Sequence, residues 1–216
     1  MSRILLATRS EHKATEIRGI LALRRDFQLV TLRDLDMQES PDEDAIENAP
    51  TFLENALAKA SYFEQRSGLP TIADDSGLEV AALANAPGVR TSRFAIDAGY
   101  VHLTGEALDQ ANNELLLERM RDVAPRDRAA RYVCAAAFAH EGKPLTTIGT
   151  CAGEIAHEPR GDGGFGYDPI FFLPQLGITF AQLAREQKNH VSHRSRAFRT
   201  LAVLLSGSVD LNPRRR

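Results

Sequence analysis

The chain has 216 residues, with 26 Lys and Arg against 29 Asp and Glu and a net charge of −3. That balance excludes a protein that coats nucleic acid through a broad basic surface, because such binding works by displacing counterions; a local basic pocket for a small anion remains open. An apolar fraction of 43% with 25% charged residues suits a packed core and not a disordered chain, and at roughly 150 residues per domain the length fits one large domain or two packed lobes.

The first apolar run, Ile4 to Ala7, is too short for a secretion signal or a membrane span, as are Val133 to Ala139 and Leu201 to Leu205. The expectation is a cytoplasmic protein with no membrane association. The run predicts a buried first strand. Polar Thr8-Arg9-Ser10-Glu11-His12-Lys13 follows, then Ala14, Ile17, Ile20 and Leu21 at helical spacing. A helix start leaves backbone N–H groups unpaired and favours anions, and Lys13 adds a charge while Thr8 and Ser10 add hydroxyls. Phosphate fits there; so does an ordinary capped helix. The glycines and Gly-Lys-Ser/Thr ending of a Walker loop are missing.

Residues 36–50 are acidic and irregular, broken by Pro41 and Pro50. Thr51 and Glu54 then form a capping box for a helix whose apolar side is Phe52, Leu53, Ala56, Leu57, Ala60 and Phe63, closed by Gly68 and Pro70. A short strand over 71–73 runs into Asp74-Asp75-Ser76-Gly77. Adjacent carboxylates repel and stay ionised only beside cations, donors or water. Mg2+ shared with substrate phosphates would compensate them, and a plain surface turn accounts for the same residue types.

Residues 85–93 read as a loop around Pro87 and Gly88, and 108–123 as a helix. Strands over 131–139 and 145–151 form a hairpin around Glu141-Gly142-Lys143. A glycine-rich loop, Gly161 to Asp168, precedes a strand over 170–173; helices over 181–188 and 192–205 follow, and 209–216 forms a basic tail. Alternating helices and strands followed by a hairpin predict an α/β fold with a mixed sheet. Cys134 and Cys151 cannot build a disulfide framework and read as buried thiols of a reducing compartment.

In the glycine-rich loop, glycine density permits close backbone approach to a ligand, and Phe165 and Tyr167 offer faces for a planar base. Near the end, Lys188-Asn189-His190-Val191-Ser192-His193-Arg194 puts Ser192 in a capping position with His193 and Arg194 in the first helical turn. Positive side chains there oppose the helix dipole, which makes sense if an anion or a carbonyl-bearing ligand sits beside them.

Taken in order, these segments resemble the inosine triphosphatase family of nucleotide pyrophosphatases. Its pattern runs T-x-N-x-x-K, T-F-x-E-N-A, D-D-S-G-L, P-G-V/I, G-G-F-G-Y-D-P-I-F and S-H-R. Here stand Thr8 and Lys13, Thr51 to Ala56, Asp74 to Leu78, Pro87 to Val89, Gly163 to Phe171 and Ser192 to Arg194. The resemblance runs from about Ile4 to Leu205 and implies an elongated mixed sheet with flanking helices in two lobes around a central cleft. On that basis residues 1–208 form one catalytic domain, usually as a homodimer. It also implies Mg2+-dependent hydrolysis of ITP, dITP and XTP to the monophosphate and pyrophosphate.

By matched position, Thr8, Arg9, Ser10, Glu11, His12 and Lys13 hold the phosphates, and Asp75 binds the metal and acts as base. Ser76, Phe165, Gly166, Tyr167, Asp168, Lys188, His193 and Arg194 contact the substrate. The second metal carboxylate lies before the T-F-x-E-N-A segment, at Glu47 or Glu43, with Glu47 the better positional match. Donors at His193 and Arg194 would suit the 6-oxo group of the base. The family's loop usually reads Thr-Gly-Asn-x-Gly-Lys, and this chain puts Arg9, Ser10 and His12 in place of the glycines and asparagine. Bulkier residues restrict positive φ, so the loop is expected to sit differently or to gain a phosphate contact from Arg9. A Maf-like pyrophosphatase of modified pyrimidines and a nucleotide sensor without turnover are the competing readings.

Overall fold

Ile4 to Ala7 are fully enclosed, and their run of apolar side chains forms strand β1 (Ser2–Ala7). In the computed structural model, which describes residues 2–22, 24 and 26–208, the elements follow in chain order. They are α1 (Glu11–Leu21), β2 (Phe27–Thr31), α2 (Phe52–Ser67), β3 (Thr71–Val80), α3 (Phe94–Asp97), α4 (Gly105–Arg119), β4 (Ala129–Ala139), β5 (Leu145–Ile155), β6 (Phe171–Leu173), β7 (Ile178–Thr179), α5 (Arg185–Val191) and α6 (His193–Ser208).

The strands hydrogen-bond in the order β2-β1-β3-β4-β5-β6-β7. β1 runs parallel to both neighbours, with Leu5 opposite Val30 on one side and Thr71 on the other. Its enclosed part, Ile4 to Ala7, is accordingly a continuous apolar run and not an alternating one. β6 is antiparallel to β5 and β7, so the sheet is mixed, as expected for this α/β chain.

The chain forms two compact units. The first takes Met1–Asp75, Cys134–Gly149 and the chain from His193 on; the second takes Ser76–Val133 and Thr150–Ser192. Each has its own core. In the first, α1 packs on α6 around a core of Ile4, Leu6, Ile17, Ile72, Phe138 and Phe198, and α2 packs on β1. In the second, α3 packs on α4, and the core gathers Leu78, Phe94, Leu116, Tyr132, Phe171 and Phe180.

Several expected boundaries move. Asp74-Asp75-Ser76-Gly77 is not a turn: it lies inside β3, which continues to Val80 because Leu78 and Val80 are also buried. The acidic stretch holds a 3-10 helix, Pro41–Ala45, and another covers Gly88–Arg93 in the expected loop. The expected helix over 181–188 starts only at Arg185. Before it, Gln182 turns back to accept from the Thr179 N–H, closing a 3-10 turn over Phe180–Gln182. Thr51 caps α2 as its sequence predicts, accepting from the Glu54 N–H at 3.2 Å. Cys134 and Cys151 are both buried and unbridged. Among the described residues no helix is long and apolar enough to cross a membrane. The basic tail lies outside the described residues.

Candidate active site

In the first unit, β3 places two carboxylates in succession. Successive side chains of a strand point to opposite faces, and Asp74 and Asp75 accordingly find different partners. Asp74 is fully buried; its Oδ2 lies 3.3 Å from Lys13 Nζ and 3.4 Å from Arg194 Nε. Arg194 also pairs with Glu16. Burial works to raise the Asp74 pKa, but Lys13 and Arg194 outweigh it and hold the carboxyl well below the usual range. Burial raises the Cys134 thiol beside it, 4.0 Å from Asp74 Oδ2, so this cysteine stays protonated.

Asp75 accepts from Asn55 Nδ2 at 2.9 Å. Asn55 in turn accepts from the Ala49 N–H at 2.8 Å, which ties the chain just beyond Glu47 to Asp75. Burial pushes the Asp75 carboxyl above its ordinary value, and the Glu47 charge pushes the same way, against Lys13, Asn55 and Lys59. Glu47 itself pairs with Lys59. Of the two candidate partners for Asp75, Glu43 is engaged elsewhere: Arg9 and Arg66 each reach it at 2.8 Å.

The Thr8–Lys13 segment needs no glycine, for none of its residues has positive φ. Ser10 caps α1, accepting from the Lys13 N–H, and Thr8 Oγ1 accepts from the Ser10 N–H at 3.2 Å. Arg9 turns to Glu43 and to the Met37 and Gln38 carbonyls at 2.6 and 3.1 Å. Glu11 and His12 are exposed, and Glu11 lies 3.6 Å from Arg33. His193 and Arg194 open α6 with their side chains buried.

The second unit holds Ser76, buried on β3, and the glycine–aromatic loop. Asp168 is the hub of that loop. Its Oδ2 pairs with Lys188 and accepts from the Phe165 N–H at 3.0 Å; its Oδ1 lies 3.3 Å from the Tyr132 hydroxyl. Gly164 is required here, since a Cβ would come within 1.9 Å of Asp168 Oδ2. Lys188 Nζ sits 5.0 Å from the Phe165 ring centre and 5.6 Å from that of Phe180, a cation–π arrangement. Tyr167 is buried and donates from its hydroxyl to the Thr91 carbonyl at 2.8 Å.

Sequence reasoning missed Glu16, Asn55, Lys59 and Tyr132. Glu16 carried a signal: it is a charged residue beside Ala14 and Ile17 in the buried stripe of α1, three positions after Lys13 and on the same face.

The sequence profile of the Ham1 family matches residues 4–204. This chain belongs to the Ham1 family. It is similar to a protein of Frankia alni called dITP/XTP pyrophosphatase, 44% identical over 205 residues that cover 94% of this chain and 96% of that one. The solved structure of a HAM1 protein from Coxiella burnetii matches with a TM-score of 0.81 at 35% identity, covering 96% of this chain and 100% of the other. A third relative, described as a nucleoside-triphosphatase / dITP/XTP pyrophosphatase from Mycobacterium abscessus, matches at 0.70 and 38%, covering 94% and 98%. Ham1 membership and these names decide for the purine reading over the Maf-like one.

Proposed function

We propose that this chain hydrolyses the non-standard purine nucleoside triphosphates ITP, dITP and XTP to the monophosphate and pyrophosphate, clearing them from the nucleotide pool. The carrying observation is that one unit sets the enclosed carboxylate of Asp75, tied through Asn55 to the chain just beyond Glu47, one residue from Asp74 and its partner Lys13 in the first turn of α1. Phosphoryl chemistry needs positioning and charge neutralisation above all, and these groups supply both. The Ham1 relatives named dITP/XTP pyrophosphatase support the substrate class.

Asp75 takes a proton from the water that attacks the α-phosphorus. A bond forms between that oxygen and phosphorus, the bond to the bridging oxygen breaks, and pyrophosphate leaves. Asp75, enclosed on β3 and oriented by the 2.9 Å bond from Asn55, is the carboxylate placed to take that proton. Lys13, the first-turn amides of Glu11 and His12, and the hydroxyls of Thr8 and Ser10 hold phosphate oxygens, while Arg9 braces their loop through Glu43.

Asp75 and Glu47 would hold Mg2+. Both offer carboxylate oxygens, the Ala49–Asn55–Asp75 bonds of 2.8 and 2.9 Å tie the chain just beyond Glu47 to Asp75, and Mg2+ commonly takes one or two protein carboxylates and fills its shell with water and substrate phosphates. When bound, the ion supplies Lewis-acid neutralisation of phosphate charge.

In the second unit, Phe165 stacks on the base, and Ser76, Gly166, Tyr167, Asp168 and Lys188 line or brace that contact. Discrimination of a 6-oxo from a 6-amino purine needs donors facing that position, because a donor set against the adenine amino group costs far more than a lost contact. On this reading the protein works in the cytoplasm as a homodimer.

Pyrophosphate release from ITP, dITP, XTP, GTP and ATP, with and without Mg2+, tests the assignment. The expected result is Mg2+-dependent turnover of ITP, dITP and XTP well above ATP. Comparable turnover of ATP overturns the selectivity, and ITP binding without any product identifies a sensor.

A further inference from the structure

Helix α4 holds Gly166 from both sides. Asp109 Oδ2 accepts from the Gly166 N–H at 2.7 Å, and Asn113 Nδ2 donates to the Gly166 carbonyl at 2.9 Å. Residues four apart share a face of a helix, so the two side chains form a clamp on one loop residue. Asn113 is anchored in turn by a 2.8 Å bond from Nδ2 to the Asp109 carbonyl. With its amide hydrogens directed at carbonyls, Asn113 faces one way only, because the reversed amide would set its oxygen against them.

Asn113 Oδ1 is buried and has no hydrogen-bond partner among the described residues. A buried acceptor without a donor is costly, and a helix of this length has no need of it. The loop does. Gly166, at φ +61, sits between Phe165 and Tyr167. The Phe165 amide is tied to Asp168 and the Tyr167 hydroxyl to Thr91. Phe165 is itself half-buried, with its backbone pinned through the Asp168 bond.

We propose that Asp109 and Asn113 are positioning residues for the nucleotide: by clamping Gly166 they set the pose in which the Phe165 ring stacks on the base. This rests on the stacking role proposed above for Phe165. A glycine-rich loop left loose must be ordered when ligand binds, which weakens affinity; a clamped loop has that ordering already in place. The carboxylates and cations assigned to the phosphates belong to the other unit, so loosening the clamp acts on KM and not on kcat.

The test combines steady-state kinetics on ITP with amide exchange over residues 163–168, for Asp109→Ala and Asn113→Ala, each alone and with Phe165→Ala. Each single variant is expected to raise KM about tenfold, with kcat held within about twofold and loop exchange quickened. Asp109→Asn, whose amide oxygen still accepts, restores most of KM. With Phe165→Ala present, the Asp109→Ala increment shrinks to under about twofold, since coupled residues are not additive.

An unchanged KM, unchanged exchange, or a full increment persisting without the Phe165 ring overturns the proposal, as does a fall in kcat with KM unmoved. Should the wild-type protein release no pyrophosphate from ITP, the proposed activity fails, and calorimetric ITP binding judges the clamp by itself. A Kd raised by Asp109→Ala then supports it, and an unchanged Kd overturns it.

Discussion

The Lys13 ammonium lies 3.3 Å from Asp74 Oδ2, and Arg194 approaches the same oxygen at 3.4 Å. One fully buried carboxylate therefore serves cations from α1 and α6. Its neutral replacement leaves those cations without their shared counter-charge in a desolvated setting. Asp74→Asn is expected to destabilise the protein by about 3–5 kcal/mol, the usual scale for removing one partner of a buried ion pair. Urea denaturation of the variant against wild type measures it.

Asp75 sits one residue further along β3 and has different work. Asparagine preserves its shape and keeps an oxygen toward Asn55, but cannot take a proton. Asp75→Asn should lower kcat for ITP by ~10²-fold or more while leaving the thermal midpoint close to wild type. A variant that keeps near wild-type turnover removes Asp75 from the role of base.

Glu43 gives a pH-dependent prediction. Burial works against its charged form, yet Arg9, the Ser40 amide and Arg66 hold its carboxyl below the ordinary range. Its folded pKa is thus lower than its unfolded one. Stabilisation is complete above the unfolded value of about 4.3 and is lost as the pH falls through the lower folded value. Glu43→Gln should cost about 1 kcal/mol near neutral pH, as for a partly exposed pair, and the two proteins should converge in stability below about pH 4. Thermal melts across that range follow the convergence.

Phe165 is expected to act on affinity. Aromatic–base stacking contributes ~1–3 kcal/mol per base, so Phe165→Ala should raise KM for ITP by about five- to a hundredfold with a smaller change in kcat. The ratio of ITP to ATP turnover should hold, because stacking does not read base identity. Michaelis curves for both nucleotides decide it.

Much of this was legible in the residues. The apolar run of β1, the helical spacing after Lys13 and the Thr51 cap each carry a local signal, and the structure keeps all of them. The alternative of a turn at Asp74 to Gly77 failed because Asp, Ser and Gly are turn formers by local propensity only. Enclosure in β3 depends instead on Lys13 and Arg194, more than fifty and a hundred residues away in the chain. Arg9 illustrates the same limit. Its charge suggested a phosphate contact, but its fork finds Glu43, a partner no local pattern reveals. The ion-pair partners of Glu43 and Glu47 likewise needed coordinates, since the stretch before Thr51 has no periodicity to fix its register. Asn113 carries no local signal of its role on α4; its burial and the Gly166 contact show it.

The central claim is that water attacks the α-phosphorus of a non-standard purine triphosphate at the Asp75 site. Turnover of ITP in heavy-oxygen water, with mass analysis of both products, addresses it most directly. The account predicts label in IMP and none in pyrophosphate. Label in pyrophosphate, or release of orthophosphate in its place, would contradict it.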